Sequence, residues 1–491
     1  MKTKGRGLGA TLLAGAVLIA APLLVSGDEQ ADPRTPAALP GLPPPFLGVA
    51  VLGEGELGAA VDAYGNVVDL REPGPAGRAL IENPADRQAA GTVAADTGIQ
   101  PWVRIGNGPA LPMWRADRIR QRYLPGTNVL RTVAWFDGAR IVITQAVHGG
   151  ELAIVAGGDA PSVRLRTSAG KNLITRDPRA LAGAAAADRR WLARARPLGA
   201  AAPEWAEEMY ARSLLVLRAL TDRGNGAVAA GARDGWAYVW PRDAGAVAIA
   251  LAEAGYPATA RRIAIFLLGL DLTAAARFDG DGHPVSGRDP QGDASGWVAA
   301  AARASRLDPP PPLPWRNLPD YWEQDPGDYL GNALASAPDV SELSRHIWGE
   351  SSDTPPQGLV REAGDPDSGL DSAAAWAVRP FGISALYPQA RETMLRLARS
   401  AGRYGLLPGE GWEGGEDPWS APTAWTAWSL AALGERRQAL RLMRALRRGA
   451  TPAGGLPERV DADTGIPRST TPLAWSHAFA LLALRELWPS R

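Results

Sequence analysis

The hydrophobic pattern of the chain changes its period at about Glu204, and this change constrains the fold more than any other feature. Before it, over residues 46–188, apolar residues come in short alternating runs separated by turn signals such as Asp137-Gly138. Alternation with a period of two predicts half-buried strands, and turns at this spacing favour an antiparallel sandwich. We therefore predict a β-sandwich domain over residues 46–200.

After this point the apolar residues repeat at helical spacing. Segments such as EEMYARSLLVLRALTD, TARRIAIFLLGL, LDSAAAWAVRPFG and RRQALRLMRALRRG carry apolar residues three and four positions apart, and we predict a helix at each. We count about eleven such segments, and long loops rich in glycine, proline and acidic residues alternate with short turns between them. Repeated helical hairpins without intervening strands predict an all-α array, closed or open, whose binding residues lie in the long loops.

Residues 1–27 have the composition of an export signal. Basic residues precede an apolar run over residues 8–27, and proline is frequent over residues 28–45. A basic start followed by an apolar run is typical of a secretory signal peptide, while a run of about 20 residues can also span a bilayer as an uncleaved anchor. We expect a protein that is secreted, or anchored to the outer face of the cytoplasmic membrane through residues 8–27, with a Pro-rich linker over residues 28–45.

Charge and composition exclude several classes of partner and site. The chain has 52 basic and 52 acidic residues, so it has no excess positive charge that would favour a nucleic acid. Cysteine is absent, which excludes disulfides and thiolate zinc sites, and the four histidines lack the spacing of metal ligands. The 18 tryptophans fit either a large aromatic core or stacking on the C–H faces of sugars.

Two groups of loop residues carry the chemistry that sugars require. Trp240, Arg242 and Asp243 combine an aromatic ring with a fork of donors and an acceptor, which can grip vicinal hydroxyls or, equally, begin a helix. Glycoside hydrolysis needs two carboxyl groups, one as acid and one as base. Glu362 and Glu458 are expected in loops at the starts of two helical hairpins, so they could face one pocket.

Four motifs, WPRDA, GRDPQGD, LPERVDADTG and TPLAWSHA, occur in this order over about 205–490 and resemble the glucoamylase-type family, glycoside hydrolase family 15. The resemblance implies an (α/α)6 barrel over residues 201–491 and an inverting, exo-acting hydrolase of α-glucosidic bonds in oligo- or polysaccharides. The preceding β-rich region is similar to the β-sandwich of bacterial members. The resemblance implies no organic cofactor, although calcium occurs in some bacterial members, and we expect no metal-binding site residues and a monomer.

The same resemblance implies which residues bind the substrate. Trp240, Arg242 and Asp243 match the family's loop for the terminal, non-reducing sugar. Trp419, in the GGEDPW segment, matches another sugar-binding stretch, and Arg288, in GRDPQGD, is expected to contact the substrate as well.

The general acid is the point at which the chain departs from the family pattern. Glu458 matches the general base that activates water, but an ungapped alignment places Val360 on the family's tryptophan and Arg361 on its acid. A one-residue shift restores Glu362 as the acid, whereas the ungapped alignment leaves none, because a guanidinium does not donate a proton at useful pH. We predict an active hydrolase with Glu362 as acid. The alternatives are a non-catalytic, envelope-tethered glycan-binding homologue and a phosphorylase on a similar barrel.

Overall fold

The computed structural model describes residues 48–82, 98–159, 162–167, 171–232, 234–336, 340–348 and 358–490. The predicted signal segment 1–27 and the linker 28–45 lie outside these ranges. None of the helices within the ranges combines the length and the apolar character that crossing a membrane requires.

Twelve described strands occupy the first part of the chain and form two sheets. The first sheet has the order β1-β2-β3-β5-β11, with β4 on β3 and β6 on β5, and the second has the order β12-β10-β9-β8-β7. Their pairs are antiparallel, apart from the short parallel contact of β10 with β12. The strands are β1 Gly48–Gly53, β2 Gly58–Asp62, β3 Val67–Glu72, β4 Arg78–Ile81, β5 Ile99–Arg104, β6 Ala110–Pro112, β7 Arg118–Tyr123, β8 Leu130–Phe136, β9 Ala139–His148, β10 Glu151–Gly158, β11 Ser162–Thr167 and β12 Ile174–Thr175.

The alternation in the sequence explains these strands. In β7 every second side chain is buried, and β8 follows the same rhythm, as expected for sheets with one face on a core. Side chains also join the two sheets. The Tyr123 hydroxyl donates to the Val51 carbonyl at 2.7 Å, and the Gln145 amide donates to the Gly65 carbonyl at 3.0 Å. The antiparallel sheets predicted for this region are therefore present.

The second part of the chain is helical. Most of these helices coincide with the segments that have apolar residues at helical spacing. The described α-helices are α1 Pro178–Leu192, α2 Glu204–Ala219, α3 Pro241–Glu253, α4 Pro257–Leu268, α5 Ala294–Ala304, α6 Leu330–Ala335, α7 Val340–Leu343, α8 Tyr387–Ser400, α9 Ser420–Ala432, α10 Arg436–Gly449 and α11 Ala474–Leu487.

Helix α1 begins inside the span over which we expected an alternating, strand-like pattern, so that expectation was wrong for residues 178–188. The segment is rich in alanine, the residue with the highest helix propensity. The side chain of Asp177 caps the helix by accepting a hydrogen bond from the Arg179 N–H, and Pro178 occupies the first turn.

The expectation that no strands interrupt the helices was also wrong. Strands β13 Ile347–Trp348, β14 Gly358–Glu362 and β15 Asp365–Leu370 form a small antiparallel sheet. After it, the predicted helix at LDSAAAWAVRPFG is a short 3-10 helix, Ser372–Ala377, because Pro380 prevents the segment from continuing. Glu362 consequently ends a strand, whereas we expected it in a loop before a helical hairpin.

The helices fall into two classes by burial. The loops that precede the fully buried class are the ones that reach the site described below. Helices α3, α9 and α11 are buried almost all round, while α8 and α10 bury one face. One continuous hydrophobic core runs through the sheets and the helices. The segments that lead into α3, α9 and α11 end at Trp240, Trp419 and Leu473, which are the N-cap residues of these helices.

Candidate active site

A cavity of about 370 Å³ lies at the N-terminal ends of α3, α9 and α11. All three N-cap residues contribute to its wall. Backbone N–H groups and the positive end of the helix dipole favour acceptor groups at such a place. The described lining residues are Ala230, Gly235, Trp236, Trp240, Arg242, Asp243, Arg277, Arg288, Gln291, Tyr321, Trp322, Gln324, Trp412, Gly414, Trp419, Glu458, Arg459, Leu473 and Trp475.

Glu458 is held at the cavity wall by contacts on both of its carboxylate oxygens. The indole N–H of Trp236 donates to one oxygen at 3.4 Å, and the Ser469 hydroxyl donates to the other. The backbone of Glu458 donates to the Thr470 carbonyl at 3.0 Å and accepts from the Ser420 N–H at 3.0 Å. Glu458 is half-buried, so its carboxylate has a defined orientation and still faces the cavity.

Arg242 is buried beside this carboxylate wall and is itself fixed. Its Nη1 donates to an Asp293 carboxylate oxygen at 2.7 Å and to the Gln291 amide oxygen at 3.1 Å. Its guanidinium lies 4.8 Å from the centre of the Trp475 ring, within the range of a cation–π contact. The Arg242 fork is therefore rigid before any ligand arrives.

Asp243 follows in the first turn of α3 and is only 4% exposed. Burial raises the pKa of its carboxyl to about 7, the Arg242 guanidinium opposes the shift, and the charges of Glu458 and Asp293 add to it. Near neutral pH this carboxyl therefore exists in both protonation states, so it can accept or donate a hydrogen bond or a proton.

The cavity wall is rich in donors that have no hydrogen-bond partner among the described residues. Buried donors in proteins are almost always satisfied, so a wall with several free ones matches a ligand rich in acceptor oxygens. The aromatic rings add flat surfaces, with Trp412 lying 5.7 Å from Trp322 and 5.2 Å from Trp419, measured between ring centres. The free donors are the indole N–H groups of Trp240, Trp412, Trp419 and Trp475 and the Nε–H groups of Arg242, Arg277 and Arg459.

The ungapped alignment places Arg361 on the family's acid. In the protein this arginine has a structural role, because it forms ion pairs with two buried carboxylates. Its guanidinium donates to both carboxylate oxygens of Asp320, at 2.8 and 2.9 Å, and to Asp371 at 3.1 Å. Burial alone would lower its pKa, but the two carboxylates hold the pKa above its ordinary value. The guanidinium carbon lies 3.8 Å from the centre of the Trp322 ring, so Arg361 supports a wall of the cavity from behind.

Glu362 is the one predicted site residue that lies outside the cavity lining. It is half-exposed at the end of β14, and its backbone N–H donates to the Ser368 hydroxyl at 3.0 Å. The other six predicted residues come together in the lining, although four different loops supply them. The roles assigned to all seven stay predictions. The six are Trp240, Arg242, Asp243, Arg288, Trp419 and Glu458.

Several lining residues were not predicted to belong to the site. Tyr321 and Trp322 come from the string DYWEQD, which combines aromatic and acidic residues as WPRDA does, so its composition offered a signal. Trp412 lies in the glycine-rich loop before Trp419 and offered a similar signal. Arg277 offered none, because it reaches the cavity only through the fold of its loop.

One group of potential metal ligands occurs in the described part of the chain, outside the cavity. Asp279, Asp281 and His283 bring three ligand atoms close together on the surface. One Asp279 oxygen already accepts the N–H groups of Asp281 and His283, both at 2.9 Å, so the carboxylate serves the turn. The expectation of no metal-binding residue, with calcium possible by the family resemblance, stays a prediction.

Comparison with known proteins bears on the fold. No protein-family model and no curated protein sequence matches the chain. A bacterial glucoamylase complexed with acarbose matches 93% of this chain and 97% of its own length, with a TM-score of 0.68 and 14% identity. The chain has a glucoamylase-like fold. The resemblance inferred from the motifs is thereby confirmed at the level of the fold.

Two shorter matches accompany this glucoamylase-like fold. A wild-type glycosidase shares 22% identity over 57% of this chain and 96% of its own length, with a TM-score of 0.48. The glucoamylase from Saccharomycopsis fibuligera shares 15% identity over 58% of this chain and 94% of its own length, with a TM-score of 0.44.

Proposed function

We propose that the chain is a glycoside hydrolase that cleaves α-glucosidic bonds of oligo- or polysaccharides, with its helices arranged as an (α/α)6 barrel behind a β-sandwich. The observation that carries the proposal is the cavity itself. An oriented carboxylate, Glu458, faces tryptophan rings and free N–H donors in one space. Flat aromatic rings and donors are the groups that bind pyranose faces and hydroxyls.

In the proposed reaction Glu458 acts as general base. It takes a proton from a water molecule that attacks the anomeric carbon, and the bond to the leaving oxygen breaks with inversion. Arg242 and Asp243 hold the hydroxyls of the terminal sugar, because the former is a fixed donor and the latter is a buried carboxyl of which one oxygen still accepts a hydrogen bond when the other carries a proton. Removal of one terminal sugar at a time makes the enzyme exo-acting.

The leaving oxygen also needs a proton, and two carboxyl groups are candidates for supplying it. Glu362 is the one predicted from the sequence, but it lies outside the cavity lining. Asp243 is the only carboxyl besides Glu458 among the described lining residues, and its pKa of about 7 keeps the acid form populated at neutral pH. We favour Asp243 as the donor on this geometry.

A second candidate function is glycan binding without turnover. Arg361 favours it, because this residue occupies the aligned acid position and is fully engaged with Asp320 and Asp371. Both proposals include export of the protein, with the N-terminal segment either cleaved or kept as a membrane anchor through residues 8–27. Both also include a monomeric state.

Anomeric NMR on the purified full chain separates these proposals. The protein is incubated with maltooligosaccharides, isomaltooligosaccharides and trehalose, and the anomeric protons are followed with time. Early β-glucose supports the inverting hydrolase, provided that Glu458→Gln abolishes it, whereas early α-glucose contradicts inversion. Saturable binding without release supports the glycan-binding function.

A further inference from the structure

Three of the four arginines that line the cavity, Arg277, Arg288 and Arg459, make no ion pair with a carboxylate among the described residues, and the first two lie together. We propose that the sugar bound in this cavity carries an anionic group, a carboxylate or a phosphate, and that Arg277 and Arg288 bind that group. The inference rests on the proposed carbohydrate function and deepens it by naming the class of substrate.

One loop brings the two arginines to the same place. The backbone N–H of Ala276 donates to the Arg288 carbonyl at 3.4 Å, and the N–H of Val285 donates to the Arg277 carbonyl at 2.9 Å. The chain therefore folds back on itself, and both residues reach the cavity lining. The guanidinium carbons of Arg277 and Arg288 lie 5.9 and 5.5 Å from the centre of the Trp240 ring, so two cations flank one lining tryptophan.

Neither Arg277 nor Arg288 donates a hydrogen bond to a carboxylate among the described residues. Arg277 donates to two backbone carbonyls, those of Gly235 at 3.3 Å and Ser286 at 3.2 Å, and its Nε–H has no partner among the described residues. Arg288 is exposed at the cavity and makes no ion pair within the described ranges. Arg242, by contrast, is only 2.7 Å from a carboxylate oxygen of Asp293.

The charges of the residues that line the cavity also favour a bound anion. Four arginines but only two carboxyl residues appear among its described lining residues. Partial burial lowers the pKa of both Arg277 and Arg288, although Arg288 keeps an exposed surface at the cavity, and the positive charge of Arg277 lowers the pKa of Arg288 further, while Glu458 opposes this effect. Cations that disfavour one another are stabilised by a bound anion.

The chemistry of arginine selects the kind of anion. A guanidinium presents parallel N–H donors that match the oxygens of a carboxylate or a phosphate in a bidentate arrangement. A neutral pyranose offers hydroxyls, for which the free indole N–H groups and Arg242 already provide donors. Uronic acids and sugar phosphates supply both kinds of acceptor in one molecule.

Isothermal titration calorimetry of the full chain tests this inference. Glucose, glucuronate and glucose 6-phosphate are titrated into the wild type, into the double variant Arg277→Met/Arg288→Met, and into Arg437→Met, an exposed arginine of α10 away from the cavity. We expect glucuronate or glucose 6-phosphate to bind at least about tenfold more tightly than glucose to the wild type, because charge-assisted hydrogen bonds are the stronger ones. The ratio of the affinity for the anionic sugar to the affinity for glucose should fall towards one in the double variant and stay unchanged in Arg437→Met.

Each outcome of these titrations either supports or overturns the inference. Tighter binding of glucuronate identifies a carboxylate as the anionic group, and tighter binding of glucose 6-phosphate identifies a phosphate. Equal affinities of the wild type for glucose and the anionic sugars overturn the inference, while the proposed function on neutral sugars stands. Failure of all three sugars and of maltooligosaccharides to bind overturns the proposed function with it. If the double variant does not fold, Arg288→Gln provides the same comparison of ratios, since its side chain is exposed.

Discussion

The Nε2 atom of His477 accepts a hydrogen bond from the backbone N–H of Leu456, at 2.9 Å, two residues before Glu458. Because Nε2 accepts, the ring proton is on Nδ1, which lies 3.0 Å from the Ser213 hydroxyl. His477 is fully buried on α11. A neutral histidine in the core thus fastens the loop that carries the proposed general base.

We expect His477→Leu to destabilise the protein by about 1–3 kcal/mol, because the substitution leaves the buried N–H of Leu456 without an acceptor. Urea unfolding followed by circular dichroism measures this change. We also expect turnover to fall more than substrate affinity, since Glu458 loses its position. His477→Gln, whose amide oxygen can accept the same N–H, should restore part of both losses. Unchanged stability in His477→Leu would show that the loop is held elsewhere.

The same histidine should make stability sensitive to acid. Burial lowers the pKa of His477 to about 3, and the charge of Arg212 lowers it further. The unfolded chain therefore binds more protons than the folded chain below about pH 6.5, so the contribution of neutral His477 is present above that pH and is lost as the pH falls towards 3. Between pH 7 and pH 5 the loss is about 2 kcal/mol.

Comparison of unfolding curves at these two pH values in the wild type and in His477→Leu isolates this contribution. The difference is needed because burial raises the pKa of Asp188 to about 6, with Glu54 adding to the shift, and that of Asp243 to about 7. Such raised carboxyl pKa values work in the opposite direction, since their contribution is lost as the pH rises. Equal pH dependence in the two proteins would contradict a buried neutral His477.

Asp243 and Glu362 should differ in their effect on substrates with different leaving groups. If Asp243 donates the proton, Asp243→Asn lowers turnover of oligosaccharides by about 10²–10⁴-fold. Turnover of an aryl glycoside with an acidic phenol falls much less, because that leaving group needs no proton. We expect Glu362→Gln to change both rates little.

The pH profile supplies an independent measure of the same role. In the wild type, turnover should decline above about pH 7, where Asp243 loses its proton. The decline should vanish in Asp243→Asn when the aryl glycoside is the substrate. Larger losses in Glu362→Gln than in Asp243→Asn would instead establish Glu362 as the acid.

Arg361 should matter for stability and for sugar binding together. We expect Arg361→Met to cost about 3–5 kcal/mol, because it leaves the buried carboxylates of Asp320 and Asp371 without their cation. Affinity for sugars should also fall, since Trp322 rests on this guanidinium. Arg345→Met removes an exposed pair with Asp328 and should cost less than about 1 kcal/mol. Similar costs for the two variants would contradict the structural role of Arg361.

The sequence pattern was a good guide to local structure and a poor one to distant pairing. The change of period at Glu204 and the buried faces of helices such as α10 follow from the spacing of apolar residues, which acts over one or two turns. The alanine-rich α1 was missed because the face that it buries carries small residues, Ala184 and Ala185, in place of large apolar ones, although its propensity for helix is high.

The site was predictable where a motif holds its residues close together. Trp240, Arg242 and Asp243 are neighbours in sequence and share the first turn of one helix. Arg361 finds its main partner 41 residues away, in Asp320, and such an ion pair leaves no periodic trace. The pairing of β14 with β15 was missed as well, and Glu362, at the end of β14, lies outside the cavity lining.

The continuous core has a consequence for how this protein can be divided. The amide of Asn128, just before β8, donates to the Leu215 carbonyl of α2 at 2.9 Å, and Arg212 of α2 donates back to Asn128 at 2.8 Å. If the sheets were removed, α2 would lose its partners on one face, and the helical part alone cannot cover that face. The two halves should melt in a single cooperative transition, and recombination in evolution would have to exchange them as a pair.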